Sequence, residues 1–394
     1  MLNFSNFCED AIFNSLNFET NTSTEQKRVE EDVAEAYISY LSFLKLDEDE
    51  VFKKCQLFRG AHIEFATKQL SWLVSNLSVM DSSRTWFCFW GIHTLRLLGY
   101  PISDKLTNNV ITFLKTCQNE NGGFAGAPGQ LPHLAPTYGA IMCLMELGTE
   151  EAYTCINREG MSKFIESLSV GDGSFYMHIG GEIDMRAAYC AISVASILNL
   201  DMNILFKGTA TWIRDSQTYE GGFGASPDIE AHGGYTYCAV AGLSLLNKLD
   251  IIDLTNLSCW IQLKQMPFEG GFCGRTNKLV DACYSFWQGA VFPILKKFAL
   301  TKKHFIYPEI DVKALQVYTL FISQDPLGGM KDKPGEKCDL YHTCYSLSGL
   351  SIAQHYVPEN EILGGEDCRL EMIDPRFNVT VKYVEKAIHY FKNI

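Results

Sequence analysis

Apolar residues fall along this chain in two alternating textures. Residues 187–198 and 237–246 are small and apolar on nearly every side, whereas residues 111–118 interleave apolar with polar side chains at helical spacing. A helix apolar all round is enclosed by neighbours, and one with a single apolar stripe keeps its other face in water. The pattern predicts helices in pairs, an enclosed inner one and an amphipathic outer one.

The pairs recur about every fifty residues. Each copy carries a turn: Asn121-Gly122-Gly123-Phe124, Asp172-Gly173-Ser174-Phe175, Glu220-Gly221-Gly222-Phe223, Glu269-Gly270-Gly271-Phe272 and Leu327-Gly328-Gly329-Met330. A tyrosine follows each turn, at 138, 189, 237, 284 and 345. The glycines supply the positive φ needed where an outer helix ends and the chain turns inward. No single copy can bury its apolar face, so the copies stack. The predicted fold is all-α, a solenoid of helical hairpins that becomes an α/α toroid of concentric inner and outer helices if it closes on itself. Its inner helices would start on one common rim.

Residues 1–24 are polar and weakly patterned, and are expected to form a flexible N-terminal segment. Residues 25–394 are expected to form a single domain, with the repeat fading after His355 into a terminal segment. With 47% hydrophobic residues the chain can bury a large core. Its net charge of −13 argues against nucleic acid as a partner. The longest nearly apolar run, residues 187–200, is too short to span a bilayer, and no basic-then-apolar secretory signal is visible near Met1. The 14 cysteines include no Cys-x-x-Cys pair and lie largely in apolar runs, which predicts reduced thiols and a cytoplasmic location.

Chemistry concentrates in two segments, residues 270–287 and 328–345, where Asp281, Cys283 and His342 precede or open inner helices of adjacent repeats. One oxygen, one sulfur and one nitrogen donor suit zinc and leave a fourth tetrahedral position open. The same residues also read as a helix cap, a core thiol and a polar rim residue.

Residues 275–288 (RTNKLVDACYSFWQ) and 339–351 (DLYHTCYSLSGLS), with Trp86-Phe87-Cys88-Phe89-Trp90, residues 132–138 (PHLAPTY) and residues 231–235 (AHGGY), closely resemble the β subunits of protein farnesyltransferases. The resemblance runs from about Ser82 to Gln354. It implies an α/α barrel, one catalytic Zn2+, and a heterodimer with a farnesyltransferase α subunit. It also implies transfer of farnesyl from farnesyl diphosphate to the cysteine of a C-terminal Cys-a-a-X motif, through a zinc-bound thiolate, on proteins such as small GTPases.

Carried over by position, the resemblance makes Asp281, Cys283 and His342 the zinc ligands and Asp339 an orienting partner of His342. His232, Arg275, Lys278 and Tyr284 become diphosphate-binding residues, with Tyr284 also counted as catalytic. Trp86, Arg186, Tyr189, Gly234, Tyr235, Cys238 and Trp287 line the isoprenoid, while Trp86, Trp90, His133, Ala135, Arg186 and Tyr341 approach the peptide. Asp332 occupies the position that implies Mg2+, with an isolated surface aspartate as the alternative. Trp86 stands where geranylgeranyltransferases of type I have a small residue, which favours farnesyl. The alternatives are the β subunit of such a geranylgeranyltransferase, and a non-enzymatic α/α-toroid binding domain. A triterpene cyclase would need an Asp-x-Asp-Asp acid cluster, and the sequence has none.

Overall fold

A computed structural model describes residues 19–44, 50, 54–72, 80–301, 307–356 and 362–394. After α1 (Asn21–Leu44) the chain alternates outer and inner helices. The pairs are α2 (Arg59–Trp72) with α3 (Arg84–Leu97), α4 (Asp104–Cys117) with α5 (Leu134–Leu147), and α6 (Arg158–Ser167) with α7 (Met185–Ile197). They continue as α8 (Thr209–Asp215) with α9 (Gly233–Leu245), and α10 (Leu254–Gln262) with a broken inner helix, α11 (Tyr284–Trp287) and α12 (Val291–Ala299). The last pair is α13 (Val312–Val317), prolonged by a π-helical turn at Tyr318–Ser323, with α14 (Leu340–His355). Helix α1 begins at Asn21, inside the segment set apart as flexible; residues 1–18 of that segment lie outside the described residues.

The two textures sort as predicted. Helix α5 is buried along nearly its whole length, whereas α4 buries one stripe, Thr107, Val110, Ile111, Leu114 and Cys117. Inner helices pack side by side in chain order, and α14 packs against α3, so the ring closes. The turn glycines make the closure. Gly122 has φ +97° and a Cβ there would lie 2.1 Å from the backbone of Gly160, at the start of the next outer helix. Gly328 repeats this with φ +100°, but its Cβ would meet the carbonyl oxygen of Ala61 at 2.3 Å. The last turn therefore seats on the first outer helix. His62 completes the seam, its Nδ1 accepting the Gly329 N–H at 3.0 Å and its Nε2 lying 3.2 Å from Gln324 Oε1.

Beyond the ring, a short hairpin, β1 (Ile373–Asp374) and β2 (Val379–Thr380), leads to α15 (Val381–Lys392). Three inner-helix tyrosines anchor the hairpin turn on successive carbonyls. Tyr237, Tyr189 and Tyr138 donate to Pro375, Arg376 and Phe377 at 3.0, 2.8 and 2.7 Å. In the fourth repeat this aromatic slot belongs to Phe286, which packs 4.9 Å from Tyr237, rather than to Tyr284 as the tyrosine spacing implies. The reason is register: Phe286 follows Phe272 at the same distance at which Tyr138, Tyr189 and Tyr237 follow Phe124, Phe175 and Phe223, whereas Tyr284 comes two residues earlier and opens α11 on the rim.

Candidate active site

The rim is built from one position of the repeat. His133, Asp184, His232, Asp281 and Asp339 stand at the same distance after each turn (133 from 124, 184 from 175, 232 from 223, 281 from 272, 339 from 330). Each accepts a backbone N–H just ahead of it, from Ala135, Arg186, Gly234, Cys283 or His342 at 2.7–3.1 Å, and His133, Asp184, His232 and Asp339 are the N-caps of their inner helices. Such caps satisfy N–H groups that the helix itself cannot. In the fourth repeat the helix proper begins after Cys283, so Asp281 is not its cap but braces the turn that leads into it.

Asp281, Cys283 and His342 each present a donor atom, all within 4.8 Å of one another. His342 Nε2 is 3.3 Å from Asp281 Oδ1, and its Nδ1 is 2.7 Å from Asp339 Oδ2. Burial works against the His342 imidazolium, yet the Asp281 and Asp339 carboxylates raise its pKa to about 10. Burial would raise the Asp281 carboxyl, but His342 and the Cys283 N–H hold it below the usual range. Burial, then the charge of Asp281, pushes the Cys283 thiol well up. This environment carries surplus negative charge and an imidazole whose far nitrogen is already bound, a set that fits a divalent cation such as zinc.

Asp332 is not an isolated surface residue. Its carbonyl accepts the Ala282 N–H at 2.9 Å and the Tyr318 hydroxyl at 2.8 Å, tying it to the metal segment. Its Oδ2 pairs with Lys333, while its buried Oδ1 has no hydrogen-bond partner. Burial, then the nearby Asp281, raises its carboxyl.

On the neighbouring cap, His232 Nδ1 accepts the Gly234 N–H, which leaves Nε2 to carry the proton toward the Tyr284 hydroxyl at 2.9 Å. Burial, then Arg275, pushes the His232 imidazole down, and burial pushes the Tyr284 phenol up, so both are neutral donors at pH 7. Arg275 leans on Glu230 at 2.9 Å, and Lys278 is exposed on the same loop.

Below the rim the inner helices carry a closed aromatic belt. Contacts run Trp86, Tyr138, Tyr189, Tyr237, Trp287, Tyr345, Tyr341, Trp90 and back to Trp86, with successive ring centroids 4.5–5.6 Å apart. Tyr341 joins the belt to the metal cluster: its ring lies 5.0 Å from His342 and its hydroxyl accepts the Trp287 indole N–H at 3.0 Å. Cys238 is buried in the same inner layer, and Tyr235 lies 5.3 Å from the His232 ring. Arg186 is exposed and clamped by Asp184, and burial, then His178, pushes the His133 imidazole down to about 4. Tyr138 and Tyr345 also belong to the belt, although the resemblance assigns a lipid contact only to Tyr189 among these repeat tyrosines.

Residues 57–379 match the family described as "Prenyltransferase alpha-alpha toroid domain". Protein farnesyltransferase subunit beta of Arabidopsis thaliana is 36% identical over 96% of this chain and 91% of its own length. Its counterpart in Pisum sativum is 38% identical over 79% of this chain and 90% of its own length. The solved Candida albicans protein geranylgeranyltransferase-I complexed with GGPP aligns with a TM-score of 0.68 over 84% of this chain and 98% of that one; at 23% identity this is a likeness of fold. The chain belongs to the family of protein farnesyltransferase β subunits, built on the prenyltransferase α-α toroid. Among the described residues no helix is long and apolar enough to cross a membrane, and all 13 cysteines are free thiols.

Proposed function

We propose that this chain is the catalytic β subunit of a protein farnesyltransferase, active in the cytoplasm as a heterodimer with an α subunit, with residues 25–394 as one domain. The observation that carries the reading is the Asp281, Cys283 and His342 cluster set beside an aromatic belt that can enclose an isoprenoid. In the reaction a substrate cysteine sulfur forms a thioether with C1 of farnesyl diphosphate, and the C–O bond to the diphosphate breaks. Asp281, Cys283 and His342 would hold zinc, which when bound lowers the pKa of a substrate thiol from about 8.5. Asp339 fixes the His342 ring by accepting from Nδ1.

The belt, with Trp86, Tyr189, Cys238 and Trp287, excludes water from the lipid, and Arg186, Gly234 and Tyr235 border it on the rim. His232, through its Nε2–H on the Tyr284 oxygen, turns the Tyr284 hydroxyl outward to donate, and Arg275 and Lys278 supply charge, where the diphosphate gains charge as it departs. Asp332, with an unpartnered carboxylate oxygen, is the place for Mg2+ on that diphosphate. Trp90, His133, Ala135 and Tyr341 would meet the Cys-a-a-X tail.

The test is His342→Ala in the heterodimer, read by metal analysis and by farnesyl transfer to a Cys-a-a-X peptide. Zinc and activity should disappear together. A zinc-replete, active variant would refute the ligand assignment.

A further inference from the structure

The repeat exposes a residue that none of the roles above uses. In every repeat the residue just before the bridge that closes the turn accepts, through its carbonyl, the N–H of the residue after the turn. The acceptors are Cys117, Leu168, Ser216, Lys264 and Ser323, at 2.9–3.1 Å. All five are buried, and four are small or apolar. The exception is Lys264, in the repeat that carries Arg275, Lys278 and Asp281.

A second position also differs in this repeat, as it does in the second repeat. Four residues beyond each turn stand Pro128, Ile179, Pro227, Thr276 and Pro334. Proline fixes φ and stiffens the loop it sits in. The second repeat has an isoleucine there and the fourth a threonine, whose hydroxyl ties the loop to neighbouring side chains. Lys264 Nζ donates to Thr276 Oγ1 at 2.8 Å, and that hydroxyl donates to Glu220 Oε2 at 3.1 Å. The ammonium also lies 5.0 Å from the Trp260 ring centroid. Burying an ammonium costs several kcal/mol before its contacts offset the loss. An apolar side chain fills the equivalent place in another repeat, so packing does not require a lysine.

We propose that Lys264 is a positioning residue for the diphosphate site: through Thr276 it holds the loop that presents Arg275 and Lys278. The proposal rests on the reading of that loop as the diphosphate site. Glu230 holds Arg275 from one side, and the Lys264, Thr276 and Glu220 chain holds the next residue from the other. The loop thereby keeps its two cations in place before the ligand arrives, which lowers the ordering cost of binding.

The experiment uses the zinc-loaded heterodimer and measures the Kd for farnesyl diphosphate, the peptide KM and the thermal midpoint. Lys264→Met and Thr276→Val should each weaken farnesyl diphosphate binding about tenfold, the worth of one charge-assisted hydrogen bond. The peptide KM and zinc content should not move, the double variant should be no worse than either single one, and Lys264→Arg should recover most of the loss. Arg275→Ala serves as the marker of the underlying reading. If it weakens binding while a folded Lys264→Met or, failing that, Thr276→Val binds as tightly as the parent, the positioning role is refuted. If Arg275→Ala itself binds normally, the loop is not the diphosphate site and the proposal falls with that assignment.

Discussion

Asp339 holds His342 through both its backbone and its ring: one carboxylate oxygen caps the His342 N–H at 2.7 Å and the other lies 2.7 Å from Nδ1. One side chain therefore starts helix α14 and orients the imaginary line from Nδ1 through Nε2 toward Asp281. Asp339 is thus both the cap of α14 and the orienting partner of His342.

Asparagine caps helices about as well as aspartate, so Asp339→Asn should leave the fold intact while taking the negative charge from His342. Zinc affinity should fall by about 10- to 100-fold, as for other partners of metal-bound histidines. Chelator competition on the heterodimer measures it. Unchanged affinity with unchanged thermal midpoint would reduce Asp339 to a cap.

Trp86 packs between Trp90 and Tyr138 in the belt. Trp86→Thr should open space there and admit geranylgeranyl diphosphate. Five more buried carbons are worth at most about 4 kcal/mol, so a gain in relative use of the longer lipid by one or more orders of magnitude is expected. Competitive transfer of the two lipids to one peptide reads the ratio, and an unmoved preference would remove Trp86 as the limit on length.

The seam that closes the toroid should be sensitive to one methyl group. Gly328→Ala places a Cβ 2.3 Å from the Ala61 carbonyl oxygen at a φ of +100°, which alanine disfavours. A loss of about 2–3 kcal/mol is expected from the strain alone. Denaturant titration should show it, while alanine at Gly129, where a Cβ meets nothing within 4 Å, costs less.

The same seam makes a pH prediction. Burial pushes the His62 imidazole down to about 4 from its ordinary 6.5. The unfolded chain binds this proton first, so stability is complete above pH 6.5 and declines as the pH falls toward 4. The loss reaches roughly 2 kcal/mol at pH 5. Replacing His62 with Gln should flatten that slope in denaturation measured from pH 7 to 5; an unchanged slope would place the acid sensitivity elsewhere.

The sequence by itself determined the helical hairpins, their period and the residue types at the metal cluster. Those signals are local: a period of helical spacing, a glycine that needs positive φ, and Asp281, Cys283 and His342 standing at or beside the starts of inner helices. Only the tertiary structure decided that the solenoid closes, because Gly328 and Ala61, His62 and Gly329 are neighbours solely through the ring. That Phe286 rather than Tyr284 takes the aromatic slot was already legible, because Phe286 follows Phe272 at the distance at which Tyr138, Tyr189 and Tyr237 follow their own turns. The tertiary structure alone joined Lys264 to Thr276 and Glu220, and gave Asp332 its buried oxygen. A linear pattern records which face of a helix is apolar, but which charge meets which across a turn is a matter of distance in three dimensions.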